Sequence, residues 1–399
     1  MGIDRAGLEG LYGLAESYMN DAAFRRKVTF DTLLSELFNL TTDMFEAWGA
    51  SIGGADLSEL ESRLNNWVNS NAADHELFVP VLITYQVAPA FDIGPVKFTL
   101  AEEFFNQYSP EIPGWMRSDF DRVRDAMDAA RSRWVASVEV KGSKPERARE
   151  IGDVSVDLAL TAIQLVTPNR EGEGIARMEG RTLPAMVTRL SKSDGSFTVS
   201  NAHQAPGLTY GPGELEAYLA NGAAVLTSVG GMIAQFLDGG GSLLKLGQAW
   251  VDAAYWYHAG LAETLDTIAV PKLETSIEVL LGSESTKGSE ARFNQAITVF
   301  AGLSESDFIH PDSYMTVKQF AKRFVMERSR ILHGTYSTLN LAMGTSRKSL
   351  IDIGGAFLRE YALELDLYRA SEAPVDDLNA FLGWIQVRRQ ASRAASSAS

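Results

Sequence analysis

The sequence contains no cysteine. This absence excludes disulfide bridges, a cysteine nucleophile, thiolate-bound zinc and cysteine-ligated iron–sulfur clusters. Positive charge is also scarce, because 36 lysine and arginine residues face 51 aspartate and glutamate residues and leave a net charge of −15. Such a chain does not coat nucleic acid or an anionic membrane through its overall charge. A site for a polyanion must therefore be a local exception to the acidic background.

Long apolar runs and the common motifs for nucleotides and metals are missing too. The most apolar stretch, 223–236, is interrupted by glycine and is shorter than the roughly 20 residues that span a membrane. There is no phosphate loop, no GxSxG and no HExxH. The five histidines lack metal-ligand spacing, and His258, between aromatic residues, is most simply a packing histidine. The first residues lack the features of a secretory signal. We therefore expect a soluble cytoplasmic protein with no cofactor, no metal and no membrane contact.

The remaining composition is that of a globular protein, and 399 residues predict two or three domains. Helical spacing of apolar residues predicts a helical segment over residues 1–73. Residues 74–210 predict an α+β domain, because β-branched and aromatic runs alternate with helical periodicity. The predicted strands lie at 77–87, 95–100, 134–140, 176–190 and 196–199, and the predicted helices at 119–133 and around 151–165.

A stretch rich in glycine and proline, 203–213, predicts the main domain boundary. Beyond it strand signals are almost absent, and residues 214–390 predict an all-α domain followed by a disordered tail, 391–399. The fold class is therefore mainly α, with a C-terminal helical bundle preceded by an α+β N-terminal region. The helices are predicted at 214–236, 243–269, 272–282, 289–302, 314–334, 346–370 and 375–389.

Basic residues are concentrated in one part of the helical region, which we call the basic island. Between positions 317 and 348 seven cations stand against one acid, Glu327. A concentrated positive charge in an acidic protein is typical of a local polyanion site, although a solvated helix face is an alternative interpretation. The seven cations are Lys318, Lys322, Arg323, Arg328, Arg330, Arg347 and Lys348.

His333 ends the predicted helix inside this basic island. An apolar stripe that includes Val317, Phe320 and Phe324 supports the helix, and Gly334 follows as a plausible residue for its end. A histidine in a last turn has a structural explanation, because a cation there interacts favourably with the helix dipole. A histidine among arginines also suits phosphate chemistry, since histidine titrates near neutral pH and arginine binds phosphate oxygens.

The run from Arg328 to Gly334, RSRILHG, resembles the R-x4–6-H motif of the HEPN superfamily, and the Apea-like HEPN group in particular. In that group a segment similar to 277–282, IEVLLG, precedes the motif. The resemblance covers roughly residues 214–370. It implies a metal-independent endoribonuclease that leaves 2′,3′-cyclic phosphate and 5′-hydroxyl ends. It also implies a homodimer, because the active sites of that superfamily form at a dimer interface.

The resemblance assigns catalysis to Arg328 and His333. Ser329 and Arg330 become supporting phosphate or hydrogen-bond contacts, and Glu278 is either a polar partner of the motif or a solvated acid. On an ideal helix, residues five apart point about 140° away from each other. One helix therefore does not bring Arg328 and His333 together, and a distorted helix end or a second copy of the chain is needed. The expected RNA contacts are Lys318, Lys322, Arg323, Arg347 and Lys348.

Three hypotheses follow from the sequence. The first is the endoribonuclease, with a role as a toxin or antiphage defence effector by analogy. The second is a catalytically inactive HEPN-like dimerisation module that binds RNA or a nucleotide, which the short Ser329 after Arg328 favours. The third is a structural helical scaffold in which the arginines pair with acids. RNA is the expected partner, with tRNA as one candidate, and the N-terminal region could select RNA, sense a trigger or bind a regulator.

Overall fold

In a computed structural model the chain is described over residues 5–48, 54–70, 72–168, 172–179, 186–203, 207, 211–282, 286–309, 315–332 and 344–398. The described part is mainly helical, with one five-stranded sheet and one two-stranded sheet. The predicted mainly-α class is therefore confirmed.

The N-terminal segment is helical, as the spacing of its apolar residues predicts. Its helices share one core, because Leu11 and Ala15 of the first helix pack with Leu33 and Leu37 of the third and Leu64 of the fourth. Phe38, which the sequence places on the same stripe, is 39% exposed. The helices are α1 (Arg5–Asn20), α2 (Ala22–Lys27), α3 (Phe30–Trp48) and α4 (Gly54–Ser70).

The five-stranded sheet has the order β2-β3-β4-β1-β5, and β2–β3, β3–β4 and β1–β5 pair antiparallel. Helix α7 is among the most buried helices, since Val156, Leu158 and Ala159 have no exposed surface. The sequence predicts the strands at 95–100 and 134–140 but not β2 or α5. The elements are β1 (Ala73–Leu82), β2 (Phe91–Ile93), β3 (Val96–Leu100), α5 (Ala101–Tyr108), α6 (Arg117–Ala129), β4 (Trp134–Ser143), α7 (Pro145–Val166) and β5 (Ala176–Arg177).

A separate hairpin follows, formed by β6 (Met186–Ser193) and β7 (Ser196–His203). Its register pairs Leu190 with Val199, and its two turn residues, Asp194 and Gly195, have φ values of 50° and 81°. Positive φ at both central residues is typical of the tight turn that matches strand twist. The predicted strand patch over 176–190 is thus divided between β5 and β6.

The described part of the C-terminal region is mainly helical, but several predicted helices have different limits. The helix predicted at 243–269 ends at Leu261, and positions 266–269 belong to the next helix. The helix predicted at 214–236 is two helices that meet at an angle of 74° beside Gly222. A Cβ added at Gly222 would lie 2.3 Å from Cγ1 of Val166 in α7, so only glycine fits there. The helix predicted to start at 272 begins at Asp266 and contains Pro271, because buried neighbours such as Val270 and Leu273 offset one missing hydrogen bond.

The C-terminal helices are α8 (Glu214–Asn221), α9 (Ala223–Asp238), α10 (Leu244–Leu261), α11 (Asp266–Leu280), α12 (Thr286–Ala296), α13 (Val317–Leu332), α14 (Gly344–Arg369) and α15 (Leu378–Ala398). A π-helical turn, Ile297–Ala301, extends α12. The last helix continues to Ala398, where the sequence predicts a disordered tail.

The chain forms two compact units with limits that differ from the predicted domain boundaries. One comprises Met1–Leu77 with Val138–Val154, and the other comprises Phe78–Ser137 with Ser155–Ser399. Strands β1 and β4 and helix α7 each contribute residues to both units. No single helix in the described ranges is long and apolar enough to cross a membrane, although α8 and α9 together pass that test as a bent pair.

Two glycines allow the turn that follows strand β2 to touch helix α9 through the backbone, and this contact makes a testable prediction. Gly94 has a φ of 56°, and a Cβ built on it would lie 2.4 Å from the carbonyl oxygen of Gly230. We expect Gly94→Ala to lower the free energy of unfolding by about 2–3 kcal/mol, from left-handed backbone strain and overpacking. Urea denaturation measures the change.

The matched control is Gly213→Ala, where φ is 83° and nothing lies within 4 Å of the added carbon. This control isolates the backbone cost and should reduce stability by about 1 kcal/mol. Equal reductions in the two variants would show that the contact between Gly94 and Gly230 does not restrict the fold.

Candidate functional site

Helix α13 has one buried face and one basic face. Val317, Phe320 and Phe324 are buried, while Lys318 and Lys322 are exposed. The buried side packs on the aromatic ring of Phe293 from α12, with ring centroids 5.6 Å from Phe320 and 5.3 Å from Phe324. The apolar stripe predicted from the sequence is therefore confirmed. Because the stripe fixes the rotation of α13, its described cations, Lys318, Lys322, Arg323 and Arg330, lie on the exposed side.

The two proposed catalytic residues lie at or beyond the end of what the structure describes. Arg328 and Ser329 belong to α13 by their backbone, but their side chains lie outside the described part of the chain. His333 and Gly334 lie outside the described residues altogether. Arg330 is described and exposed. The backbone of α13 is helical through Leu332, immediately before His333.

The other cations of the basic island have different surroundings. Lys318 is exposed, and its Nζ forms a salt bridge of 3.3 Å with Oε2 of Glu305. Arg323 is exposed and places Nη1 3.9 Å from the sulfur of Met315. Lys322 and Lys348 are exposed, the latter in the first turn of α14. Exposed ion pairs such as that of Lys318 contribute little energy, so they exchange readily for contacts with phosphate.

Arg347 differs from these cations, because its side chain is only 13% exposed and is held by three acceptors. Nη1 lies 3.2 Å from Oδ1 of Asp266, and Nη2 lies 3.2 Å from Oε2 of Glu173 and 3.1 Å from the carbonyl oxygen of Leu261. These contacts join the first turn of α14 to α10, to α11 and to the turn that contains Glu173. We therefore assign Arg347 a structural position and leave it out of the proposed RNA-contacting set.

Glu278 belongs to α11, which packs against α13. Its Oε1 accepts a hydrogen bond of 2.9 Å from the hydroxyl of Ser289 on α12. The side chain is half-buried, so it is more than a solvated helix acid. This hydrogen bond ties α11 to α12.

A buried polar cluster lies in the same unit, built by Asp157 and Gln164 of α7, Arg177 of β5 and His258 of α10. His258 has no exposed surface, which confirms the prediction of a packing histidine. Arg177 holds the carboxylate of Asp157 with two hydrogen bonds, of 2.8 Å and 3.3 Å. Nε2 of His258 lies 3.6 Å from Oδ1 of Asp157. Charged groups this deep require such pairing.

The amide of Gln164 fixes which nitrogen of His258 carries a proton. Its Nε2 donates to the carbonyl oxygens of Gly172 and Ile175, at 3.1 Å and 2.9 Å. Its Oε1 is therefore an acceptor, and Nδ1 of His258, 3.0 Å away, is the donor. The sequence signal for this cluster was an acid and an amide inside the apolar stretch of α7, where buried polar residues need partners.

Tyr257, next to His258, provides a further contact to α14. Burial raises the pKa of its hydroxyl above the ordinary value, so the hydroxyl stays protonated. It donates a hydrogen bond of 3.1 Å to the carbonyl oxygen of Ile351. Together with Arg347, this bond holds the part of α14 that follows the motif segment. In the described ranges, no three histidine, aspartate or glutamate side chains come together as a metal site.

Comparison of the chain with family models, with curated proteins and with solved structures finds no match.

Proposed function

We propose that the protein is a homodimeric, metal-independent endoribonuclease of the HEPN type, in which α13 presents Arg328 and His333 to RNA. The observation that carries the proposal is the division of α13 into a buried apolar face and an exposed face bearing Lys322, Arg323 and Arg330. In a chain of net charge −15, this face is where a polyanion is attracted. The resemblance of the motif to HEPN ribonucleases supplies the reaction.

The residue types suit cleavage of RNA without a metal. The imidazole of His333 accepts a proton from the 2′-hydroxyl or donates one to the leaving 5′-oxygen, because its ordinary pKa lies near neutral pH. The guanidinium of Arg328 stays charged and stabilises the negative charge that develops on the phosphorane. Attack of the 2′-oxygen on phosphorus breaks the bond to the 5′-oxygen and leaves a 2′,3′-cyclic phosphate and a 5′-hydroxyl.

The helical backbone of α13 supports a dimeric site. The backbone of α13 is helical through Leu332. If the helix continued by one residue, Arg328 and His333 would point about 140° apart on an ideal helix. A two-fold axis beside the helix ends would place Arg328 of one copy near His333 of the other and double the basic face. We propose this arrangement together with a cytoplasmic role as a toxin or antiphage effector.

The exposed basic face makes a prediction about RNA binding. We expect Lys322→Glu combined with Arg323→Glu to weaken binding of a single-stranded RNA at least tenfold, because two cations no longer neutralise phosphates and repulsion is added. The slope of log K against log salt should fall by about 1.4, or about 0.7 for each phosphate that is no longer neutralised. Electrophoretic mobility shift in excess EDTA at several salt concentrations measures both quantities.

The control is the pair Lys97→Glu and Lys141→Glu, which together make the same change of charge at exposed positions of β3 and β4. Its affinity for RNA should stay within about twofold of that of the wild-type protein. If the control and the double variant weaken RNA binding equally, overall charge determines binding and the α13 face is not the RNA site. Binding without any cleavage by the unchanged protein would favour the inactive dimerisation module.

A further inference from the structure

Helix α6 ends in a backbone motif in which an arginine occupies the position usual for glycine. The N–H of Ser132 donates to the carbonyl oxygen of Met127 at 2.8 Å, and the N–H of Arg131 donates to that of Asp128 at 3.1 Å. This pair of bonds defines a Schellman ending, with Arg131 in the left-handed position. Its φ is 55°, one of three positive values among described non-glycine residues.

Arginine at this position has a cost in stability that glycine avoids. A left-handed backbone brings Cβ close to the following carbonyl oxygen, which is unfavourable for residues other than glycine and, to a lesser degree, asparagine and aspartate. Such strain persists where the surrounding structure holds it, and it is concentrated at ligand sites.

Arg131 lines a cavity of about 410 Å³ together with Tyr85, Asp128, Ser132 and Arg133. One wall of the cavity is held in place by Ser132, which is buried. Its hydroxyl donates a hydrogen bond of 2.9 Å to the carbonyl oxygen of Val81 on β1. The hydroxyl of Tyr85 is buried and has no hydrogen-bond partner among the described residues. A buried polar atom without a partner is uncommon and indicates that something else completes the site.

Two arginines and one aspartate line this cavity, so positive charge is in excess. Arg131 and Arg133 are exposed, and within the described ranges neither guanidinium forms a salt bridge. Two free guanidinium groups at one cavity favour phosphate, which arginine binds in a bidentate manner. The negative charge of Asp128 repels an anion that has no hydrogen-bond donors of its own. The same carboxylate accepts hydrogen bonds from hydroxyl or amino groups. The cavity therefore suits a ligand that combines a phosphate with neutral hydrogen-bond donors.

We propose that this cavity binds a nucleoside monophosphate or a closely related phosphate ester, with the phosphate on Arg131 and Arg133 and hydroxyl groups of the sugar on Asp128. The volume falls within the range of small-ligand sites and exceeds what a phosphate ion needs. Arginine is kept at the strained position because its guanidinium binds the phosphate. The proposal is independent of the proposed ribonuclease activity, since none of these residues belongs to α13 or the motif.

Isothermal titration calorimetry of the full chain tests the proposal with three probes: AMP, ribose 5-phosphate and inorganic phosphate. We expect AMP and ribose 5-phosphate to bind at least tenfold more tightly than phosphate. Arg133→Gln should weaken AMP binding at least tenfold, as expected for removal of one charge-assisted hydrogen-bonding group. Arg122→Gln, at an exposed position of the neighbouring helix α6, is the control and should bind AMP as the wild-type protein does. No binding of any probe at millimolar concentration, or equal binding by Arg133→Gln, would overturn the proposal.

Arg131→Gly gives a second, independent test because its two effects have opposite signs. The melting temperature should rise by about 1–2 °C as the backbone strain is relieved, while AMP binding should weaken at least tenfold. A merely structural arginine would leave AMP binding unchanged, and that result would overturn the proposal. Asp128→Ala should reduce the preference for AMP over inorganic phosphate, and an unchanged preference would contradict the assignment of the sugar to Asp128.

Discussion

Replacing His333 by alanine is expected to lower the rate of RNA cleavage by about 10²–10⁴-fold, the typical contribution of a positioned acid or base. The melting temperature should change little, because a residue that acts on substrate lies at the surface and surface changes cost about 0.5 kcal/mol or less. Arg328→Ala should cause a comparable fall in rate. Arg328→Lys should not restore the rate, since an ammonium group does not reproduce two parallel hydrogen bonds to phosphate.

The control for this prediction is His310→Ala, which removes a histidine outside the motif. It should cleave RNA at the unchanged rate. A loss of cleavage in Arg328→Ala and His333→Ala that is accompanied by a large fall in melting temperature would instead support the structural scaffold. Cleavage at the unchanged rate by His333→Ala would remove the motif from the mechanism.

Replacing Asp157 by alanine is expected to lower the free energy of unfolding by about 3–5 kcal/mol, the cost of removing one partner from a buried ion pair. Asp157 is almost completely buried, and it joins Arg177 of β5 to His258 of α10. In the variant, the guanidinium of Arg177 and the imidazole of His258 remain at this site and no longer have the carboxylate beside them. Urea denaturation followed by circular dichroism measures the change.

Two further variants separate charge from shape at this site. Asp157→Asn keeps the volume and one acceptor oxygen, so its effect on stability should lie between that of alanine and zero. Asp125→Ala, at an exposed position of α6, should change the free energy of unfolding by about 0.5 kcal/mol or less. If Asp157→Ala behaves like Asp125→Ala, the cluster does not stabilise the junction of α7, β5 and α10.

Much of the helical framework could be predicted from the spacing of apolar residues. The stripe on α13 indicated both the presence of that helix and the face that it buries, because Phe320 and Phe324 meet Phe293 in the core. The helix limits that the sequence predicts wrongly depend on tertiary contacts. Gly222 bends the chain because Val166 lies against it, and Pro271 stays within a helix because its neighbours are buried. Neither contact is visible in local periodicity.

The candidate sites could be predicted only in part. Charge in the sequence located the basic face of α13, but it did not show that Arg347 is held by Asp266 and Glu173. These acids are distant in the sequence, so their approach depends on the fold. The sequence does not predict the cavity beside Arg131 either, because a left-handed arginine has no signature in composition or spacing.

The most direct test of the central claim is to map the ends of RNA after incubation with the purified protein in excess EDTA. Total tRNA and a single-stranded RNA serve as substrates, beside the His333→Ala variant. The proposed mechanism predicts 2′,3′-cyclic phosphate and 5′-hydroxyl ends from the unchanged protein and intact RNA from the variant. Ends that carry a 5′-phosphate, or cleavage that disappears in EDTA, would contradict a metal-independent reaction at this motif.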